Sequence, residues 1–259
     1  MYKKGDSISI GTYPQTEIMD QTIIRQIDAL ADPGTAVADV EIGGKWYRRI
    51  SVKYSNVVEE ADFGSENYRY YVYEPICWTI LSVDGCRALL SADKGLDCQW
   101  YHLQWKAVDW ADSTLRKWLN EDFLNTAFSK EEQEAVLQTM VSNTSNPKYG
   151  TQDGDVTTDQ VFLLSIDEVQ NPEFGFNEEM RRRMCTDYAA GMGVSRFDGL
   201  CSPWWLRTKG FGRKAASVYG DGGINEAGFD VAVIPGSIGA AAIVPALWLD
   251  LGKAGSQLT

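Results

Sequence analysis

The segment that most constrains the fold is 204–250, where short β-prone pieces are cut by Gly210, Gly212, Gly220, Gly222, Gly223, Gly228, Gly236 and Gly239. Glycine at this density supplies the backbone freedom that tight turns require, so the segment predicts short hairpins with exposed tips. No internal repeat and no linker-like stretch sets it apart from the rest. A chain of 259 residues allows one large domain or two small ones. The reading is therefore one α+β domain over 1–259.

Upstream, strand and helix signals alternate. Ile8 and Ile10 alternate with Ser7 and Ser9, and Gly11-Thr12-Tyr13-Pro14-Gln15 reads as the turn that ends this strand. Apolar residues in 19–30 (Met19, Ile23, Ile24, Ile27, Leu30) predict an amphipathic helix, stopped by Asp32-Pro33-Gly34. Segments 37–58 and 68–92 are rich in Val, Ile, Tyr and Trp and predict paired strands, with Asp84-Gly85 as a hairpin turn. Asp112 or Ser113 can cap a helix that places Leu115, Trp118, Leu119 and Phe123 on one face. Ser129…Glu132 and Ser165…Glu168 are capping-box patterns, the second following a short buried strand at 161–164. The polar stretch 142–160 reads as a surface loop. Residues 178–190 read as a helix whose Arg181, Arg182 and Arg183 lie on a solvated face with Glu178 and Glu179.

Composition then removes whole classes of function. A net charge of −12 argues against a phosphate backbone as partner, so no nucleic acid is expected. No uncharged apolar run approaches the roughly 18 residues of a membrane span. No apolar stretch follows Lys3-Lys4, so no signal peptide is expected, and the expected location is cytoplasmic or phage-particle associated. The lone His102 cannot supply a His-rich zinc site and reads as a packed or hydrogen-bonded ring. Five cysteines, with no C-x-x-C pair, read as reduced thiols. Asp153, Asp155 and Asp159 miss an EF-hand because Thr158 stands where the loop needs glycine. Gly210-Phe211-Gly212-Arg213-Lys214 fits neither phosphate-binding fingerprint, and no G-x-S-x-G elbow exists. No metal and no cofactor is expected.

Scattered landmarks become informative together. Ile10-Gly11-Thr12-Tyr13-Pro14-Gln15, Pro75-Ile76-Cys77-Trp78-Thr79-Ile80-Leu81 and Ser113-Thr114-Leu115-Arg116-Lys117-Trp118-Leu119-Asn120 come first. Ala127-Phe128-Ser129, Val161-Phe162-Leu163-Leu164-Ser165, Thr186-Asp187-Tyr188-Ala189, Trp204-Trp205-Leu206-Arg207 and Pro245-Ala246-Leu247-Trp248-Leu249 follow in order. Across about 8–250 these motifs resemble an uncharacterised bacterial and phage domain family with a C-type-lectin-like fold of the formylglycine-generating-enzyme type. That family includes variable proteins of diversity-generating retroelements. The resemblance implies short helices around small antiparallel sheets, with a Gly-rich C-terminal hairpin region that binds a ligand. Two departures stand out. Family members commonly carry Gly-Val-Arg-Pro-Ala-Leu where this chain has Ala242-Ile243-Val244-Pro245-Ala246-Leu247, and the lectin calcium tripeptides are absent.

In retroelement variable proteins, codons diversified at adenines never yield Lys, Gln, Glu, Met or Trp. Those types make up 53 of the 259 residues, yet the 28 residues 217–244 hold only Glu226. The resemblance thus implies a ligand-binding, variable segment within 204–250. Val218, Ile224, Val231 and Val233 fit a buried alternation. The candidate ligand-binding residues are Phe211, Arg213, Ser217, Tyr219, Asp221, Asn225, Phe229, Asp230, Ala232, Ile234, Ser237 and Ile238. Those from Tyr219 onward are expected to point outward or sit on tips, with Phe211 and Arg213 bordering the same surface. The expected function is non-enzymatic binding of an unknown protein or surface ligand. The alternatives are a formylglycine-generating-type copper oxidase using Cys185 and Cys201, or a fixed structural or adhesive module.

Overall fold

The computed structural model describes residues 2–52, 68–196, 201–232 and 241–255. Its elements are short and mostly β. In the first third they run β1 (Ser7–Glu17), α1 (Gln21–Leu30), β2 (Val37–Ile42), β3 (Lys45–Ser51), β4 (Tyr68–Asp84), β5 (Arg87–Ala92) and β6 (Asp97–Cys98). The middle holds α2 (Thr114–Trp118), α3 (Leu124–Ala127), α4 (Lys130–Ala135), β7 (Thr139–Asn143), β8 (Gly154–Asp159), β9 (Val161–Phe162) and α5 (Ile166–Gln170). Then come α6 (Glu178–Arg181), β10 (Arg183–Met184), α7 (Asp187–Gly191), β11 (Cys201–Ser202), β12 (Trp204–Lys209), β13 (Lys214–Val218) and β14 (Ile224–Asp230). The chain closes with β15 (Ala242–Ile243), β16 (Ala246–Asp250) and α8 (Leu251–Ala254). The fold is mixed α+β with small, almost wholly antiparallel sheets and few short helices.

A seven-stranded sheet runs β2-β3-β4-β5-β16-β9, with β1 also on β4. The long β4 makes this possible. Val72 pairs with both Thr16 and Tyr47, and Trp78 with both Ile8 and Ala92, so β1 lines one edge while β3 and then β5 line the other. A five-stranded sheet runs β14-β13-β12-β15-β6. The pairs β7-β8 and β10-β11 stand apart.

One apolar core takes residues from Ile8 to Ala254, and a smaller cluster of Ile27, Ala31, Val40 and Tyr47 seats α1 on β2 and β3. Trp78, Trp110, Trp204 and Trp205 are fully buried, and each indole N–H has an acceptor: Ile10 O, Asp159 Oδ2, Arg181 O and Gln99 O, all at 2.9–3.0 Å. Rings of this size can sit in the core only with that donor satisfied.

Local signals were followed where a cap or a turn decides the outcome. Asp20 caps α1, Ser113 caps α2, and both capping boxes form at Ser129/Glu132 and Ser165/Glu168. The Asp84-Gly85 turn closes β4 onto β5. Three expectations need correcting. Gly11–Gln15 does not end the first strand, because β1 continues to Glu17 through a bulge at Gly11. Gly11 holds φ +74°, and a Cβ there would lie 2.8 Å from Ala127 O and the Phe128 ring, so the bulge is fixed by α3. The 142–160 stretch is not simply a surface loop but includes much of the β7-β8 hairpin, with Asp159 buried under Trp110, Thr157 and Arg116. The 178–190 helix is broken into α6, β10 and α7, and its three arginines part company. Arg182 is exposed, Arg181 reaches Gly222 O at 2.9 Å, and Arg183 is buried.

Candidate functional site

Both faces of β12 and β13 are covered: Trp204, Trp205, Leu206, Ala215, Ala216 and Val218 are at most 1% exposed. A sheet buried on both sides can offer a ligand only its turns and its edge strand. This accounts for where the candidate residues fall.

At one end, the β13-β14 turn is built by Tyr219 N–H to Gly223 O (2.8 Å), Gly222 N–H to Tyr219 O (2.9 Å) and Gly223 N–H to Asp221 Oδ1 (2.9 Å). Gly222 has φ +92°, and a Cβ on it would stand 2.0 Å from Glu178 O. The turn is therefore clamped between the backbone of α6 and the Arg181 guanidinium. Tyr219 and Asp221 are exposed on its outer side.

Phe229 of the edge strand meets Tyr219 edge-on at 5.8 Å and Trp205 edge-on at 6.1 Å, and Trp205 in turn meets Tyr101 at 5.7 Å. A continuous aromatic column thus rises from the core and ends on an exposed tyrosine. Beside it opens a cleft of about 420 Å³ lined by Ser195, Arg196, Pro203, Tyr219, Gly220, Asp221 and Phe229. Arg196 is held at its border by Nη2 to Asp187 Oδ1 (3.2 Å) and Nε to Cys185 Sγ (3.3 Å). The cleft offers an aromatic wall, a carboxylate and a guanidinium, the mixture that orients a ligand by shape and charge. Tyr219, Asp221 and Phe229 are among the residues the sequence singles out. Ser195, Arg196 and Pro203 are not, since no local pattern ties a segment 16–24 residues upstream of Tyr219 to the site.

Other candidates fall elsewhere. Phe211 and Arg213 occupy the β12-β13 turn at the opposite end of β13, about 20 Å from Tyr219 at the rise of a strand. They do not border the cleft. Phe211 packs on Tyr149 at 5.8 Å, and the Arg213 guanidinium lies 3.9 Å over the ring of Trp105, itself exposed. Asp230, half-buried, pairs with Lys214 at this same end.

Ser217, Asn225 and Ala232 do not point outward: all three are buried. Ser217 lies on β13, covered on both faces. Asn225 closes the β14 bulge by accepting Gly228 N–H at 3.0 Å. Ala232 follows Val231, whose carbonyl accepts His102 N–H at 2.8 Å and draws the chain inward. Val218 and Val231 are buried as expected, and Ile224 only partly. Ile234, Ser237 and Ile238, with Val233, lie outside the described residues.

The thiols have a defined geometry. Met184 pairs with Cys201 and Arg183 with Ser202 across β10-β11. Alternation then sends Cys185 with Arg183 and Ser202 to one side and Cys201 with Met184 to the other. The Cys185 and Cys201 side chains diverge. Among the described residues, no three His, Cys, Asp or Glu side chains come together as metal ligands. His102 is buried, its Nδ1 accepting Thr114 N–H at 3.3 Å, and burial, aided by Lys106, pushes its pKa below the usual histidine value. None of the described helices is long and apolar enough to cross a membrane.

A family model described as a domain of unknown function, DUF6273, matches residues 86–251. The chain belongs to that family. The DUF6273 match runs from β5 into α8 and takes in every described cleft residue, while β1, β2, β3 and β4, the other four strands of the large sheet, precede it. No curated protein and no solved structure matches the chain.

Proposed function

We propose that this chain is a non-enzymatic binding protein that uses the Tyr219–Phe229 cleft and the neighbouring turns to hold a protein or surface ligand. The observation that carries the reading is the aromatic column ending in exposed Tyr219 beside a cleft of about 420 Å³. The scaffold would be C-type-lectin-like, a reading supported by the large antiparallel sheet packed with a smaller Gly-rich one and short helices. Within it the protein would be a variable protein of a diversity-generating retroelement. The near-absence of Lys, Gln, Glu, Met and Trp from 217–244 supports this, as does the exposure of Tyr219 and Asp221 on a turn that two backbone hydrogen bonds and the Arg181 guanidinium hold, with Asp221 Oδ1 adding one more.

One observation favours a second reading, a module of fixed specificity. Ser217, Asn225 and Ala232 are buried, and a side chain on Gly222 would collide with α6, so much of the segment cannot vary freely. Deep sequencing of the last third of the gene across its source population separates the two. Variation concentrated at Tyr219, Asp221, Phe229 and Asp230, with 204–207 and 245–249 fixed, establishes the diversified binder. A uniform segment removes diversification and leaves the fixed module. The copper-oxidase alternative gains nothing from the diverging Cys185 and Cys201 side chains.

A further inference from the structure

Arg183 begins β10 directly opposite Ser202 of β11, so the two side chains leave the same face of the ladder with Cβ atoms roughly 5 Å apart. Arg183 is only 7% exposed. Its Nε and Nη2 are buried without an acceptor among the described residues, and Ser202 Oγ is likewise buried without a partner among them. In the planar guanidinium these two nitrogens share one edge, and their N–H bonds point the same way. That edge takes both oxygens of a single carboxylate or phosphate.

The same molecule shows the edge in use. Arg48 donates from Nε to Asp39 Oδ1 at 2.8 Å and from Nη2 to Asp39 Oδ2 at 2.7 Å. Each of the other buried arginines among the described residues has a carboxylate: Arg48 has Asp39, Arg49 has Asp28 and Arg207 has Glu168. Arg183 has the Phe176 ring, 5.8 Å from its guanidinium carbon, and the field of Asp93, which forms no ion pair with it and whose Oδ1 is taken by Thr79 Oγ1 at 2.5 Å. An arginine cannot escape by losing its proton. A buried guanidinium with an open donor edge is among the most costly arrangements in a protein interior.

We infer that the Nε/Nη2 edge of Arg183, with Ser202 Oγ beside it, is a binding site for an oxyanion, a carboxylate or phosphate group. Arg183 does not line the Tyr219 cleft, so the site stands whether or not the cleft reading holds.

The test is thermal unfolding of the full chain in inorganic phosphate and, separately, in acetate, with chloride holding ionic strength constant. An anion at ten times its Kd should raise Tm by about 3–6 °C in a chain of this size, saturably. Acetate without phosphate would identify a carboxylate site, and phosphate without acetate a phosphate site. Arg183→Met should abolish the response, and Arg183→Lys, which keeps the charge but not the fork, should weaken affinity by about tenfold. Exposed Arg182→Met should leave it intact. If Arg183→Met does not fold, the NMR signal of the Arg183 Nε–H in the parent protein still decides, because a bound oxyanion must shift it. No response beyond ionic strength, an unchanged response in Arg183→Met, or an unmoved Nε–H signal each overturns the inference.

Discussion

Glu168 performs two tasks at once, and removing it should show how the strand bearing the candidate site is held. Its Oε2 accepts Ser165 N–H at 2.8 Å to complete the α5 capping box. The same carboxylate pairs with Arg207 of β12, through Oε2 to Nη1 and through Oε1 to Nη2 at 3.0 Å. The Arg207 side chain is only 5% exposed and also donates to Leu163 O at 2.7 Å and Ser142 O at 3.0 Å. Glu168→Ala leaves that guanidinium buried with carbonyls but no counter-charge, a loss of about 3–5 kcal/mol. The lost cap adds about 1 kcal/mol, and the 25% exposure of Glu168 reduces the ionic part, so we expect about 3–5 kcal/mol in all. Glu168→Gln keeps an acceptor for Ser165 and should cost about 1–2 kcal/mol. Replacing both partners, as Glu168→Leu with Arg207→Met, removes the stranded charge and should cost less than Glu168→Ala alone. Urea unfolding followed by circular dichroism, with an unchanged m-value, measures all three. A Glu168→Ala protein within 1 kcal/mol of the parent, or a double variant that costs more than Glu168→Ala, refutes the argument.

Gly222→Ala must strain a left-handed backbone and push a methyl into Glu178 O, so it should cost about 3 kcal/mol and release the β13-β14 turn, seen as faster amide exchange at Gly223. Tyr219→Ser should change stability by no more than about 1 kcal/mol, whereas Trp205→Ala, at the root of the same column, should cost about 3–5 kcal/mol by denaturant titration. His102 titrates lower in the folded chain than its usual 6.5 because burial opposes the charged ring. The unfolded chain therefore takes up the proton first. The contribution of His102 is complete above pH 6.5 and is lost as pH falls from there through the folded value. Urea midpoints between pH 7.5 and 5.5 should fall, and less steeply in His102→Gln. An equal slope in that variant would dismiss the histidine as the source.

What could be read in advance depended on how far away the deciding partner lies. The caps at Ser113, Ser129 and Ser165 act over three residues, so the sequence displays both halves of each interaction. The Gly11 bulge depends on α3, more than a hundred residues on, and no local pattern announces it. Three adjacent arginines look alike in sequence, yet the break of α6 after Arg181 sends one to a turn, one to solvent and one into the interior. The candidate site divides the same way. Tyr219 and Asp221 stand on a glycine-rich tip, and a tip is exposed whatever packs on the strands behind it. Ser217, Asn225 and Ala232 depend on what covers both faces of β13 and on where β14 bulges, facts of tertiary packing. A two-residue period presumes one wet face, and this sheet has none at its centre. Any ligand-contacting variation must therefore concentrate at the turns and the β14 edge. A population whose variable codons fell instead on Ser217 and Ala232 would contradict the packing itself, and with it the binding surface drawn from it.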